Sequence, residues 1–76
     1  MNTITRQPVQ SSAITSIGHD PFTNTLDVEF ASGVVHRYRD VSAEQFLDLL
    51  HAASIGKHFA TELRHLPNAK LTDEEA

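Results

Sequence analysis

From Thr25 to Phe30 the chain alternates without a fault: Leu26, Val28 and Phe30 are apolar, while Thr25, Asp27 and Glu29 are polar. A period of two sends the first set to one face of a strand and the second set to the other. Ala31-Ser32-Gly33 interrupts the pattern, and Val34 to Val41 reads as the next strand. The loop length between the two follows from the pattern alone. A two-residue Ser32-Gly33 loop opposes Val28 to Arg37 and Leu26 to Arg39, which buries two arginines on the apolar face. A three-residue loop with Gly33 in the left-handed region opposes Phe30 to Val34, Val28 to His36 and Leu26 to Tyr38. It also sets Asp27 across from Arg37 on the other face, a cross-strand ion pair. A one-residue slip would turn every side chain over, so the apolar pattern selects the three-residue loop.

The flanking segments are then read outward from this hairpin. Ser12 to His19 is expected to be a strand, with Ile14 and Ile17 of opposite parity and Gly18 close by, which points to a bulge or a strand end. Asp20-Pro21-Phe22-Thr23-Asn24 is a turn, since Pro21 fixes φ and Asp20 and Asn24 can bond to nearby backbone. Ser42-Ala43-Glu44-Gln45 is a capping box that opens a helix, with Val41 placed to staple onto Phe46. Phe46, Leu47, Leu49, Leu50 and Ala53 form its apolar stripe. Ser54 is a second N-cap candidate, and a second helix is expected from about Ile55 to Leu66, with Ile55, Phe59, Leu63 and Leu66 buried and Pro67 as its stop. The predicted fold is α+β: a three-stranded antiparallel meander followed by two helices packed on one face, in the order β-β-β-α-α. Residues 1–10 are expected to be a flexible arm, 11–66 the domain and 67–76 an acidic, disordered tail.

At 76 residues the chain is one domain with a thin core. It has no cysteine, so disulfides and thiolate zinc sites are excluded and a reducing, cytoplasmic setting is expected. No apolar run approaches the roughly 18 residues of a membrane span, and Met1 to Gln10 lacks the apolar core of a secretory signal. The net charge of −4 is split unevenly: about −2 over residues 1–36, +1 over 37–70 and −3 over the tail. Neither half has the clustered positive field that strong phosphate binding requires.

Several pieces of the chain, taken in order, resemble the KTSC domain, a short bacterial module that also occurs at the C-terminus of some lysyl-tRNA synthetases. They are Ser11-Ser12-Ala13-Ile14, Gly18-His19-Asp20, Leu26-x-Val28-x-Phe30-x-Ser32-Gly33, His36-x-Tyr38, Asp40-Val41, and Ala53-Ser54-x-Gly56 with Phe59. Together they cover roughly residues 9–66. The resemblance implies this fold and a free-standing small protein. It also brings a suggestion of RNA binding from the synthetase association, for a family whose function is not established. The chain departs from the family's pattern at His36, which replaces the first tyrosine of a Tyr-x-Tyr, at His19 and His58, where aromatics are usual, and at Ser42, where proline is common.

The residues themselves offer little chemistry. His36 and Tyr38 could stack on RNA bases, but the register places them beside Leu26, Val28 and Phe30, as core aromatics with polar tips at the edge. Arg37 and Arg39 project from the opposite face, where Asp27 and Glu29 offset them. Val35 and Val41 on that face are expected to be exposed and available for a protein contact. Among the five histidines, His58 and His65 flank Glu62 two turns apart, a spacing that seldom converges on one ion, so no metal is expected. There is no G-x-S-x-G elbow, and a thin domain leaves little room for a ligand cavity of roughly 300 Å³. The expectation is therefore a non-catalytic binding module with no cofactor, no metal, no membrane span and no small-molecule substrate. Its contact is with a protein partner or a second copy, through the outer sheet face or a strand edge; weak RNA binding is the alternative. The candidate contact residues are Arg37, Arg39, Val35, Lys57 and Arg64.

Overall fold

The computed structural model describes residues 4–71; the ends of the predicted arm and tail, residues 1–3 and 72–76, lie outside the described residues. The elements are β1 (Gln7–Pro8), β2 (Ile14–Asp20), β3 (Thr25–Phe30), β4 (Val35–Tyr38), α1 (Ala43–Leu50), α2 (Ile55–Glu62) and β5 (Asn68–Lys70). The strands form one antiparallel sheet in the order β1-β2-β3-β4-β5. The three-stranded meander of the sequence reading is thus its centre, and among the described residues the sheet has five strands.

The central hairpin has the register that the apolar pattern selects. Leu26 pairs with Tyr38, Asp27 with Arg37 and Val28 with His36. The Phe30 N–H donates to the Val34 carbonyl at 2.9 Å. Gly33 has φ +93°, the left-handed conformation that closes a three-residue loop. The parity conflict in β2 is resolved by a bulge between Ile14 and Ser16, where the register against β3 shifts. The extra residue turns Ile14 and Ile17 to the same face. Gly18 serves another purpose: a Cβ there would lie 2.3 Å from the Thr5 carbonyl oxygen, so its bareness lets the N-terminal segment lie across β2.

Residues directly opposite one another share a face, and the inner face collects Ile14, Ile17, Leu26, Val28 and Tyr38. Val41, Leu49, Ile55, Phe59 and Leu63 complete that buried cluster from the helical side. Phe59 of α2 meets Phe30 and Tyr38 edge-on, with ring centres 5.7 and 5.1 Å apart. α1 begins at the predicted capping box: Ser42 Oγ accepts from the Gln45 N–H and Gln45 Oε1 accepts from the Ser42 N–H. Ser54 caps α2, accepting from the Lys57 N–H. α2 is shorter than the apolar pattern predicts. It stops at Glu62, with Leu63 as C-cap, because the chain must turn back within a few residues to lay β5 beside β4.

Three expectations are corrected by this architecture. The arm and the tail both contribute strands, since Gln7–Pro8 pairs with β2 and Asn68–Lys70 pairs with β4. Val35 is buried, at 5% exposure, because β5 runs on far enough for the Leu71 N–H to donate to the Val35 carbonyl. Val41 is fully buried, because β4 ends at Tyr38 and Asp40 takes a left-handed φ of 62°. That turn carries Val41 off the outer face and into the core under α1.

Candidate functional site

The outer face of the sheet carries most of the residues the sequence singles out, and it is closed. Arg37 holds Asp27 with both ends of its guanidinium: Nε donates to Oδ1 at 2.7 Å and Nη2 to Oδ2 at 2.9 Å. Asp27 is 1% exposed, so this is a sequestered ion pair and not a solvated one. Beside it, Arg6 Nε donates to Ser16 Oγ at 3.2 Å, and that hydroxyl donates to Glu29 Oε1 at 2.8 Å. Arg37 is thus tied to Asp27, and the Ser16 hydroxyl links Arg6 to Glu29. Arg37 and Val35, predicted contact residues, belong to this closed layer.

Arg39, Lys57 and Arg64 are exposed, but the fold does not gather them. Arg39 borders the start of β5, its N–H donating to the Pro67 carbonyl. Lys57 stands in the first turn of α2, and Arg64 follows that helix's end. Arg64 lies near enough to Tyr38 to favour its ionised form, yet burial dominates and raises the Tyr38 pKa above its ordinary value. His36, the other half of the predicted aromatic pair, is half-buried with its tip at the edge. Asn68 Nδ2 donates to the Leu66 carbonyl, which leaves Asn68 Oδ1 to accept from His36 Nδ1–H at 3.1 Å.

Two surface clefts exceed the size expected of so small a domain. One, of about 330 Å³, lies between Ser11–Ala13 and Ala53–Lys57. It brings together two of the motif pieces, some forty residues apart in sequence; a Cβ at Gly56 would make only ordinary contacts there, 3.4 Å from Ser11 Oγ and 3.6 Å from the Ala13 Cβ. The other, of about 410 Å³, runs from Ala52 along α2 past His58 to Glu62. Neither His58 nor Glu62 bonds to a hydroxyl that it could activate, among the described residues. Nor do those residues hold a group of three or more His, Asp or Glu able to bind a metal ion. No helix among them is long and apolar enough to cross a membrane.

The feature that sequence reasoning missed is at the β2–β3 hairpin tip. Phe22 is 95% exposed, and its backbone is fixed by an N–H bond to Asp20 Oδ1 at 2.9 Å. It lines a groove with Ile4, Thr5, His19, Asp20 and Pro21. His19 continues the surface to α1: its ring stacks on Phe46 with centres 5.2 Å apart and planes 14° apart. Its Nε2–H donates to the Val41 carbonyl at 2.6 Å. Next on α1, Leu47 is 48% exposed, and Phe46 and Leu50 are half-buried. A signal was present, since a turn has no strand neighbour to cover an aromatic, and Leu47 lies about 100° around the helix from Phe46.

The KTSC domain model matches residues 10–65. An uncharacterized protein of Stutzerimonas stutzeri is 46% identical over 54 residues, which cover 71% of this chain and 76% of that one. A protein of Tsukamurella paurometabola is 45% identical over 51 residues, 67% of this chain and 76% of its own length. The crystal structure of a KTSC domain protein from Yersinia pestis superposes with a TM-score of 0.88 at 30% identity, covering 92% of this chain and all of that one.

Proposed function

The chain belongs to the KTSC domain family, and from that premise we propose that it is a non-catalytic protein-interaction module of the cytoplasm whose contact surface is the apolar end built from Phe22, Phe46 and Leu47. The observation that carries this reading is the near-complete exposure of Phe22 on a braced hairpin tip. A large aromatic held in water forgoes most of the roughly 1.5–3 kcal/mol that burying it would give. Apolar groups continuous across two elements are the usual mark of a contact site, and aromatics are enriched in such sites. The partner that fits is an apolar surface of another protein that accepts the phenyl ring beside Pro21.

A photoreactive residue at position 22, compared with one at Ser32 at the far end of the same sheet, tests this in cells. A discrete adduct from position 22 that is lost in the Leu47→Ser variant is the expected result. Equal labelling from both positions, or none from either, overturns it.

The second reading, weak RNA binding, is favoured by the exposure of Arg39, Lys57 and Arg64. Such binding would weaken steeply with salt. Titrating a mixed RNA pool at low and high salt, with Arg39→Glu and Arg64→Glu as the variants, separates it from an apolar contact, which barely responds to salt.

A further inference from the structure

The two edges of the sheet are not alike. β1 ends in Pro8, which has no N–H and blunts that edge against pairing. β5 has no proline, and Asn68, Ala69 and Lys70 are all exposed; among the described residues no strand lies beyond it.

The hydrogen-bond phase of β5 can be worked out from its two ends. The Arg39 N–H donates to the Pro67 carbonyl at 2.8 Å, and the Leu71 N–H donates to the Val35 carbonyl at 2.8 Å. Arg37 and Ala69 face each other midway between those bonds. In an antiparallel ladder, pairs that exchange bonds alternate with pairs that do not. Ala69 therefore directs its N–H and carbonyl to Arg37, and Asn68 and Lys70 direct theirs away from the sheet.

That row is self-complementary. We propose that β5 is a homodimerisation edge, pairing with β5 of a second copy about a two-fold axis at Ala69 and joining the two sheets. In that register the Asn68 N–H and carbonyl meet the Lys70 carbonyl and N–H of the second copy, and the reciprocal pair closes the contact with four backbone bonds. The methyl groups of the two Ala69 residues meet at the axis without crowding. Each Lys70 comes opposite Asn68 and not opposite the other Lys70. The contact is small, so the dimer is weak and forms at high protein concentration. It is independent of the Phe22 surface.

Sedimentation of the full chain from low micromolar to near-millimolar concentration tests the dimer, together with amide hydrogen exchange at both extremes. The expected result is a mass rising toward that of a dimer, with the Asn68 and Lys70 amides gaining protection on concentration while Ala69 is protected throughout. Lys70→Pro removes an outward N–H from each copy, hence two bonds per dimer, without touching the ladder to β4. It should raise the dissociation constant roughly tenfold or more. Ala69→Asp opposes two carboxylates at the axis and should leave a monomer, and Phe22→Ser should leave the dimer intact. The proposal is overturned if the wild type stays monomeric throughout, if Ala69→Asp dimerises like the wild type, or if concentration protects no amide of β5. Loss of the dimer in Phe22→Ser would also overturn it, by placing the contact at the hairpin tip.

Discussion

The two faces of the sheet are both closed, by different means. The inner face is closed by apolar burial: Ile17, Leu26 and Val28 are fully covered by two short helices. Among the described residues no helix lies over the outer face, yet Asp27 is as deeply buried as those core residues. Its charge is met by a two-point guanidinium contact, and Ile4, Val35 and Leu71 are buried on or beside it. A domain this small thus spends both faces on its own stability, which leaves the ends and edges of the sheet for contact with other molecules.

Substitutions on each face test how deep that difference goes. On the inner face, Leu26→Ala should cost about 3 kcal/mol of unfolding free energy, within the roughly 2–5 kcal/mol range for a buried leucine. On the outer face, Arg37→Met should cost a similar amount, about 3 kcal/mol, because it strands a buried carboxylate. The two losses differ in how they can be repaired. Adding Asp27→Leu to Arg37→Met should restore most of the stability, since a buried ion pair can be exchanged for packed apolar groups at little net cost, whereas no partner change refills the cavity at Leu26. Urea unfolding of the three variants decides it. An Arg37→Met loss below about 0.5 kcal/mol would mean that the outer pair behaves like a solvated surface pair.

A smaller effect is expected where the N-terminal segment crosses the sheet. Gly18→Ala places a methyl group against the Thr5 carbonyl and should cost about 1–3 kcal/mol. The loss should be local at first, read as faster exchange of the Val9 amide, which bonds to the Thr15 carbonyl at 3.1 Å. If that amide keeps its protection, β1 is held by something other than this close approach.

The smallest effect is at alkaline pH. Burial raises the Tyr38 pKa above its ordinary value of 10.0, so the folded chain keeps the phenolic proton at a pH where the unfolded chain has released it. Stability is then flat below about pH 10 and falls as pH rises through the folded-state value. Tyr38→Phe should lose that decline while keeping the ring's contact with Phe59. Thermal unfolding at a series of alkaline pH values measures it.

Much of this protein was legible before its structure. The limits of β3, the three-residue loop at Gly33 and the Asp27–Arg37 pairing all follow from one uninterrupted alternation. The capping box at Ser42 and the cap at Ser54 follow from local hydrogen-bonding chemistry. β1 and β5 were not legible, because strands of two and three exposed residues have no period to read and exist only where a neighbouring edge accepts them. The candidate contact residues divide on the same line. Arg39, Lys57 and Arg64 are exposed, away from the apolar positions that the sequence reading assigns to the core. The exposure of Val35 and the solvation of the Asp27–Arg37 pair were misjudged, because parity assigns a face but does not tell what lies over it.

The sequence by itself determined the register and the inward side of the central hairpin, since a period-two pattern with charges on one side has only one arrangement that keeps them off the apolar layer. Only the tertiary structure decided that Val35 and Asp27 on the outer side would be buried as well. Burial there is set by segments distant in the chain, brought together by edge pairing and by the bare Cα of Gly18.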